Sequence, residues 1–380
     1  MAVNLRHLQF NLPLIFKSTL RNALTGTVYF GVNRSIYTNK TIGTNSYEYI
    51  RSQMQQQFTS VEASFRLKMQ EIVNDENSIV FTEDLKAMSH LVTDTPEDLD
   101  LFLKMIYKFN SQNKELRFGN YIFGPVIMRA FNYVNKPDLA LSTFLDPTLT
   151  PFFNQTMSYT VLMTSLYNHK MYKEVRQVFD VCKNNSNHPN PSKLPVIVNA
   201  AACYQENTPE SYNYLLQTWR ELSKNNFPPI RKFILFLGAL ALKQNSPEIT
   251  LELMSLIRTR NIDNRCLKVL AYSKLNRYND VAYIIKNSVE GNYSFQEKYF
   301  SDVIQTIEDD LENIDDELKS ILTKLISLLK VQKGIEPQTL ESNLVKPIEY
   351  LFTKNSTLEQ SKEPLRRTKQ RRIVGLKDLI

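Results

Sequence analysis

The side chains best suited to chemistry are scattered. Four histidines, His7, His90, His169 and His188, lie far apart with no carboxylate at ligand spacing, so no metal constellation can be written from them. Three cysteines, Cys182, Cys203 and Cys266, are odd in number and form no Cys-x-x-Cys pair. They support neither a disulfide framework nor a zinc ribbon, and fit a reducing compartment. The densest carboxylates are Glu308-Asp309-Asp310 and Asp315-Asp316-Glu317, in a stretch, 301–320, that holds eight acids and Lys319 as its one base. A two-metal nuclease needs acids gathered from separate elements into a dry pocket, whereas these run round one expected helix and read as its solvated face. No Gly-x-Gly-x-x-Gly or Gly-Lys-Ser/Thr loop is present to cradle phosphates, and nine glycines in 380 residues are too few for loop-rich β architecture. The expected protein is non-catalytic and uses no cofactor.

The bases carry more information, because the net charge of +7 is unevenly spread. Residues 1–47 contain five bases and no acid, and residues 361–380 contain seven bases against Glu363 and Asp378. Between them acids exceed bases by three. An acid-free, Arg-containing N-terminus with Leu8, Phe10, Leu12, Leu14, Ile15, Phe16 and Leu20 has the composition of a mitochondrial presequence. Asn11, Pro13 and Lys17 break the apolar run that a secretory signal needs. Matrix localisation follows, with removal of roughly the first 40 residues. The longest apolar run elsewhere, residues 233–242, is too short to span a bilayer. The C-terminal cluster Arg366, Arg367, Lys369, Arg371 and Arg372 suits polyanions without sequence preference, and is read as an RNA or ribosome contact.

The elements that position these charges are set by an internal repeat between about 120 and 290. Its marker is a helix-start signal after Asn: Asn135-Lys136-Pro137-Asp138, Asn207-Thr208-Pro209-Glu210 and Asn245-Ser246-Pro247-Glu248. Proline suits the first helical turn, the acid meets the positive end of the helix dipole, and the Asn tolerates the left-handed conformation that ends the preceding helix. Taking Tyr172 and Tyr278 as equivalents of the prolines gives spacings of 35, 37, 38 and 31 residues. Seven positions after the marker stand Phe144, Phe179, Leu216, Met254 and Ile285; three after stand Ala140, Val175, Tyr212, Thr250 and Val281. Six before stand Phe131, Leu166, Cys203, Ala241 and Tyr272, and nine before stand Met128, Met163, Ala200, Gly238 and Val269. These registers predict two helices per unit packed face to face, with starts at Pro137, Pro209 and Pro247 and with Phe179 and Leu216 in the core.

The hairpin best seen in Tyr159-Thr160-Val161-Leu162-Met163 through Val175, Val178 and Phe179 resembles the pentatricopeptide repeat family. The tetratricopeptide alternative lacks its Trp-x2-Leu-Gly-x2-Tyr opening. The resemblance implies an all-α solenoid of antiparallel helical hairpins and a matrix RNA-binding protein acting in mitochondrial transcript maturation and respiratory-chain expression. One departure matters. Eleven residues before the marker, where RNA-reading members of the family place Asn, Thr or Ser, this chain has Val126, Val161, Val198, Phe236 and Leu267. Such side chains cannot hydrogen-bond base edges, so one-base-per-repeat readout is not expected.

Residues 120–290 nevertheless hold nineteen bases against twelve acids. Arg129, Arg231, Lys232, Lys243, Arg265 and Lys268 fall on expected first helices, which line the concave side of such solenoids, and are the candidate phosphate contacts together with the C-terminal cluster. Upstream, helices are expected at about 46–73, 82–92 and 96–110, the last two forming a divergent hairpin with Thr95 as N-cap. Downstream, 296–331 reads as two capping helices. The chain then divides into a presequence (1–47), N-terminal helices (48–119), repeats (120–290), capping helices (291–335) and a polar basic tail (336–380). The expected function is mitochondrial RNA binding in support of RNA maturation, processing or stability, with RNA-processing enzymes or the mitoribosome as partners. The competing class is a protein-interaction scaffold, such as a mitoribosome-associated or assembly factor, which the apolar positions just named favour.

Overall fold

A computed structural model describes residues 35–112, 121–185, 191–291 and 297–349. The first 34 residues of the expected presequence and the basic cluster at 366–372 lie outside the described residues. Everything described belongs to the compact unit that begins at Arg34.

The chain is all-α. It opens with α1 (Asn39–Ile42), α2 (Thr44–Phe58) and α3 (Glu62–Asn74). Hairpins follow: α4 (Thr82–Leu91) with α5 (Pro96–Ser111), and α6 (Gly124–Tyr133) with α7 (Pro137–Leu145). After a short α8 (Thr150–Phe153), α9 (Thr156–Asn168) pairs with α10 (Tyr172–Asn185), and α11 (Lys193–Glu206) with α12 (Pro209–Lys224). Next, α13 (Arg231–Lys243) pairs with α14 (Pro247–Ser255), and α15 (Ile262–Lys274) with α16 (Tyr278–Glu290). A layer of α17 (Ser301–Asp310) on α15 and α18 (Asp316–Val331) on α16 closes the array. A similar layer opens it, with α2 on α4 and α3 on α5. First helices stack on first helices, and α10, α12 and α14 each also pack on the first helix of the next unit. That nearest-neighbour pattern is the packing of a solenoid.

Local chemistry explains the unit. Helices begin at Pro137, Tyr172, Pro209, Pro247 and Tyr278, and Asn135, Lys170, Asn207, Asn245 and Asn276, two positions earlier, all have left-handed φ between 50° and 62°. In four units the residue before the marker donates its N–H to a carbonyl five residues back, as in Lys136 to Phe131 and Ser246 to Ala241. This is the Schellman closure that a left-handed residue makes possible. Between, the registers hold a dry seam: Phe131, Leu166, Cys203, Met163, Ala200, Val175, Phe179, Met254 and Ile285 are each fully enclosed.

Three expectations shift. The stretch read as one helix over 46–73 is two: α2 ends at Phe58, where the Thr59 hydroxyl donates to the Gln55 and Gln56 carbonyls, and α3 starts at Glu62, with Phe58 edge-on to Phe65 at 5.1 Å. In the third unit the core residue is Leu215, fully buried, and Leu216 is only partly so. There Thr208 and Ser211 form a capping box in place of the Schellman bond, and the Ser211 hydroxyl reaches the Cys203 carbonyl at 3.2 Å. That bond turns α12 by one residue and brings Ser211, Leu215, Thr218 and Leu222 inward. Downstream, 296–331 gives α17 and α18 preceded by a short strand, β1 (Tyr299–Phe300). It pairs in parallel with β2 (Ile335–Glu336), Tyr299 opposite Ile335 and Phe300 opposite Glu336. The last described helix is α19 (Leu340–Leu344).

Candidate nucleic-acid interface

The first-helix face is where the repeat brings the candidate bases together, so its construction decides what they can do. Its apolar positions are inaccessible: Val161, Val198, Phe236 and Leu267 are fully buried, and Val126 partly so. Part of the cover comes from the chain's own ends. Residues 36–37, assigned by sequence to the presequence, are completely enclosed, and Tyr37 donates its hydroxyl to the Leu194 carbonyl at 2.9 Å. Residues 340–348, assigned by sequence to the polar tail, pack on α13 and α15 through α19. The two segments meet in a parallel bridge, with Ile348 N–H donating to Ile36 O at 2.8 Å and Thr38 N–H to Ile348 O at 3.2 Å. Lys40 and Glu349 add an exposed ion pair at 2.7 Å. The result is a strap across first helices. Asp302 fixes its far end, accepting the Leu340 N–H at 3.0 and 3.2 Å on its two carboxylate oxygens.

The strap engages several candidate bases. Arg129 Nε donates to Ile42 O at 2.8 Å, and burial holds its guanidinium below the usual arginine range. Lys232 Nζ donates to Asn343 O at 3.3 Å; burial lowers its pKa most, with a smaller contribution from Arg231 opposed by Asp263. Lys243 stands 3.7 Å from Glu341 and 4.0 Å from the centre of the Tyr204 ring. Arg265 is bound to Glu297 at 2.9 Å and to the Lys298 carbonyl at 2.7 Å. Arg231 and Lys268 make no ion pair with a described residue; Arg231 is exposed and Lys268 half-exposed. The structure therefore gathers the six on one set of helices but leaves two of them uncommitted.

Two further bases join Arg231. Lys193 is exposed at the first residue of α11, and stands sixteen residues before its marker as Arg231 does before the next. That register could have revealed it from sequence. Lys346 lies in the strap, and nothing in a stretch read as tail announced it. With Lys232, Thr259 and Asn343, these line a pocket of about 570 Å³ in which no described lining residue is acidic.

The histidines, thiols and clustered acids serve the fold. Among the described residues no group of three His, Cys, Asp or Glu side chains is placed to hold a metal ion. His90 Nδ1 donates to Lys86 O at 2.9 Å and His169 to Ser165 O at 2.8 Å; His7 and His188 lie outside the described residues. The three thiols are buried and form no disulfide, and burial pushes each up to about 12. The acid cluster splits between α17 and α18: Asp310 accepts from Ser273 and Glu308 pairs with Lys330 at 2.6 Å. No described helix is long and apolar enough to cross a membrane.

Antiparallel hairpins recurring about every 35 residues, with a left-handed residue, Asn in four units and Lys170 in the other, closing each first helix, make this an all-α helical-repeat solenoid. The chain is similar to proteins named pentatricopeptide repeat-containing protein 2, mitochondrial. The Xenopus laevis protein is 30% identical over 169 residues, 44% of each chain, and the Danio rerio protein 31% over 182 residues, 47% of each. The Mus musculus protein is 27% identical over 242 residues, 62% of this chain and 63% of the relative. The match thus spans between about two fifths and just under two thirds of these relatives' length. No family model matches the chain.

Proposed function

We propose that this chain is a non-catalytic mitochondrial RNA-binding solenoid that supports maturation, processing or stability of mitochondrial transcripts in the matrix. The observation that carries the reading is the set of uncommitted bases, Lys193, Arg231, Lys268 and Lys346, on an array whose named relatives are mitochondrial pentatricopeptide proteins. With buried Val161, Val198, Phe236 and Leu267 at the base-reading positions, phosphate contacts dominate and sequence preference is slight. The basic tail at Arg366, Arg367, Lys369, Arg371 and Arg372 adds to the same attraction.

Filter binding of single-stranded RNAs of different sequence, at several salt concentrations, tests this. Replacing Arg231 and Lys268 by Ala should weaken all sequences about equally and reduce the salt slope by about 1 for each phosphate no longer neutralised. Absence of binding at low salt would sink the RNA reading. It would favour the protein scaffold instead, for which the exposed apolar side chains Ile321, Leu328 and Val331 along α18 offer a docking stripe. Recovery of matrix transcripts after crosslinking in intact mitochondria would identify the RNA bound. The partners proposed on the RNA reading are RNA-processing enzymes or the mitoribosome.

A further inference from the structure

We infer that the pocket between the starts of α11 and α13 and the strap at 343–348 is a binding site for a phosphate group. The inference depends on the RNA reading only for the source of that phosphate.

Four cations, Lys193, Arg231, Lys232 and Lys346, border one cavity of about 570 Å³, large enough for a nucleotide-sized group. Bringing like charges together costs free energy unless an anion joins them. The protein supplies little compensation. Lys193, Arg231 and Lys346 are exposed and form no ion pair with a described residue. Lys232 is largely removed from water, and its hydrogen bond goes to the neutral Asn343 carbonyl. The carboxylate nearest in effect, Asp263, is buried and accepts a 2.6 Å bond from Asn343 Nδ2. A phosphate group, a monoanion in an RNA backbone or a dianion at a chain end or free, supplies negative charge and several acceptor oxygens, which match the ammonium, guanidinium and Thr259 hydroxyl donors.

The arrangement is built by the fold. Lys193 and Arg231 occupy the same register of adjacent units, so the stacking of α11 and α13 sets them side by side. Lys346 and Asn343 come from the strap, more than a hundred residues away in sequence. A ligand held by both sides ties strap to array, and its binding stabilises the native state by mass action.

The probe is inorganic pyrophosphate at constant ionic strength, added to the full chain. The expected result is a rise in thermal midpoint and saturable binding. The Arg231→Ala/Lys346→Ala double variant should weaken binding by at least about tenfold, because two charge-assisted hydrogen-bond donors to the anion are removed. Both residues are exposed, so the variant should keep its helical circular dichroism. A charge-matched control, Lys173→Ala/Lys324→Ala, both exposed and remote from the pocket, should bind as the parent does. No midpoint change in the parent, or equal weakening in variant and control, would overturn the site. A second arm adds labelled single-stranded RNA. Displacement of RNA by pyrophosphate assigns the phosphate to RNA. Saturable pyrophosphate binding that leaves the RNA bound keeps the site and assigns it to a free phosphate compound, whereas saturable pyrophosphate binding by a chain that binds no RNA at low salt keeps the site and overturns the RNA reading alone.

Discussion

Arg176 shows what a single side chain contributes to this fold. Nearly enclosed, it binds Glu206 at the end of α11 and Glu210 at the start of α12, at 3.1 Å to the latter, and lies 5.6 Å from the Tyr214 ring. Removing one partner from a buried pair leaves an uncompensated charge, so Arg176→Ala should lose about 3 kcal/mol in urea unfolding, whereas Lys173→Ala one turn away should lose almost nothing. Phe179→Ala opens a cavity in a fully buried site and should cost about 3–5 kcal/mol. His90 adds a pH dependence. Its ring stacks on Tyr47 at 5.1 Å, and burial, more than the neighbouring Arg51 and Lys86 charges, holds its pKa below 6.5. The native state therefore resists protonating it. This contribution is complete above about pH 6.5 and is lost as the pH falls below that value, where the unfolded chain takes up the proton first. Thermal midpoints of the parent should fall between pH 7.5 and 5.5 more steeply than those of His90→Gln.

At the scale of elements, the helix boundaries were legible because they depend on near-neighbour chemistry. Pro137, Pro209 and Pro247 with a preceding Asn state where one helix closes and the next opens, and the structure has those starts. The facing of α12 was not legible, since it depends on a bond between Ser211 and Cys203 that the apolar register cannot reveal. Nor was the break at Thr59, where packing of α2 on α4 and α3 on α5 overrides a continuous helical pattern. The left-handed ends give a direct test. Lys170 holds φ 62° without the tolerance of Asn or Gly, so Lys170→Gly should stabilise the chain by about 1 kcal/mol, and Asn245→Val should destabilise it by about 1–2 kcal/mol. Gly43 has φ 75°, and a Cβ there would lie 2.9 Å from the Arg129 guanidinium. Gly43→Ala should therefore cost about 1 kcal/mol or more and loosen α1. Chemical denaturation of each variant reads these changes.

For the whole molecule, the repeat predicts an open array, and the strap is the departure. It was hidden in sequence because 35–47 has the composition of a presequence and 336–349 that of a polar tail, while pairing between them is non-local. The candidate bases were legible as a group on first helices. Which of them remain free was not, because that depends on Ile42, Asn343 and Glu341 arriving from elsewhere. Truncating the chain after residue 335 should expose the first-helix face. Hydrogen exchange should then speed up in α13 and α15, beneath α19, and change little in α4 and α5.

The Tyr37 to Ile348 bridge also fixes an order of events. Hairpins of 30 to 40 residues can form as soon as each pair of helices is available, since their contacts are local. The bridge joins partners 311 positions apart, so it must wait for nearly the whole described chain. Until then the first helices beneath the strap, α13 and α15, present their strap-facing side to whatever surrounds a chain that emerges N-terminus first. Maturation of this protein therefore ends with a single late closure, and the interval before it is the period of greatest exposure to aggregation and chaperone capture.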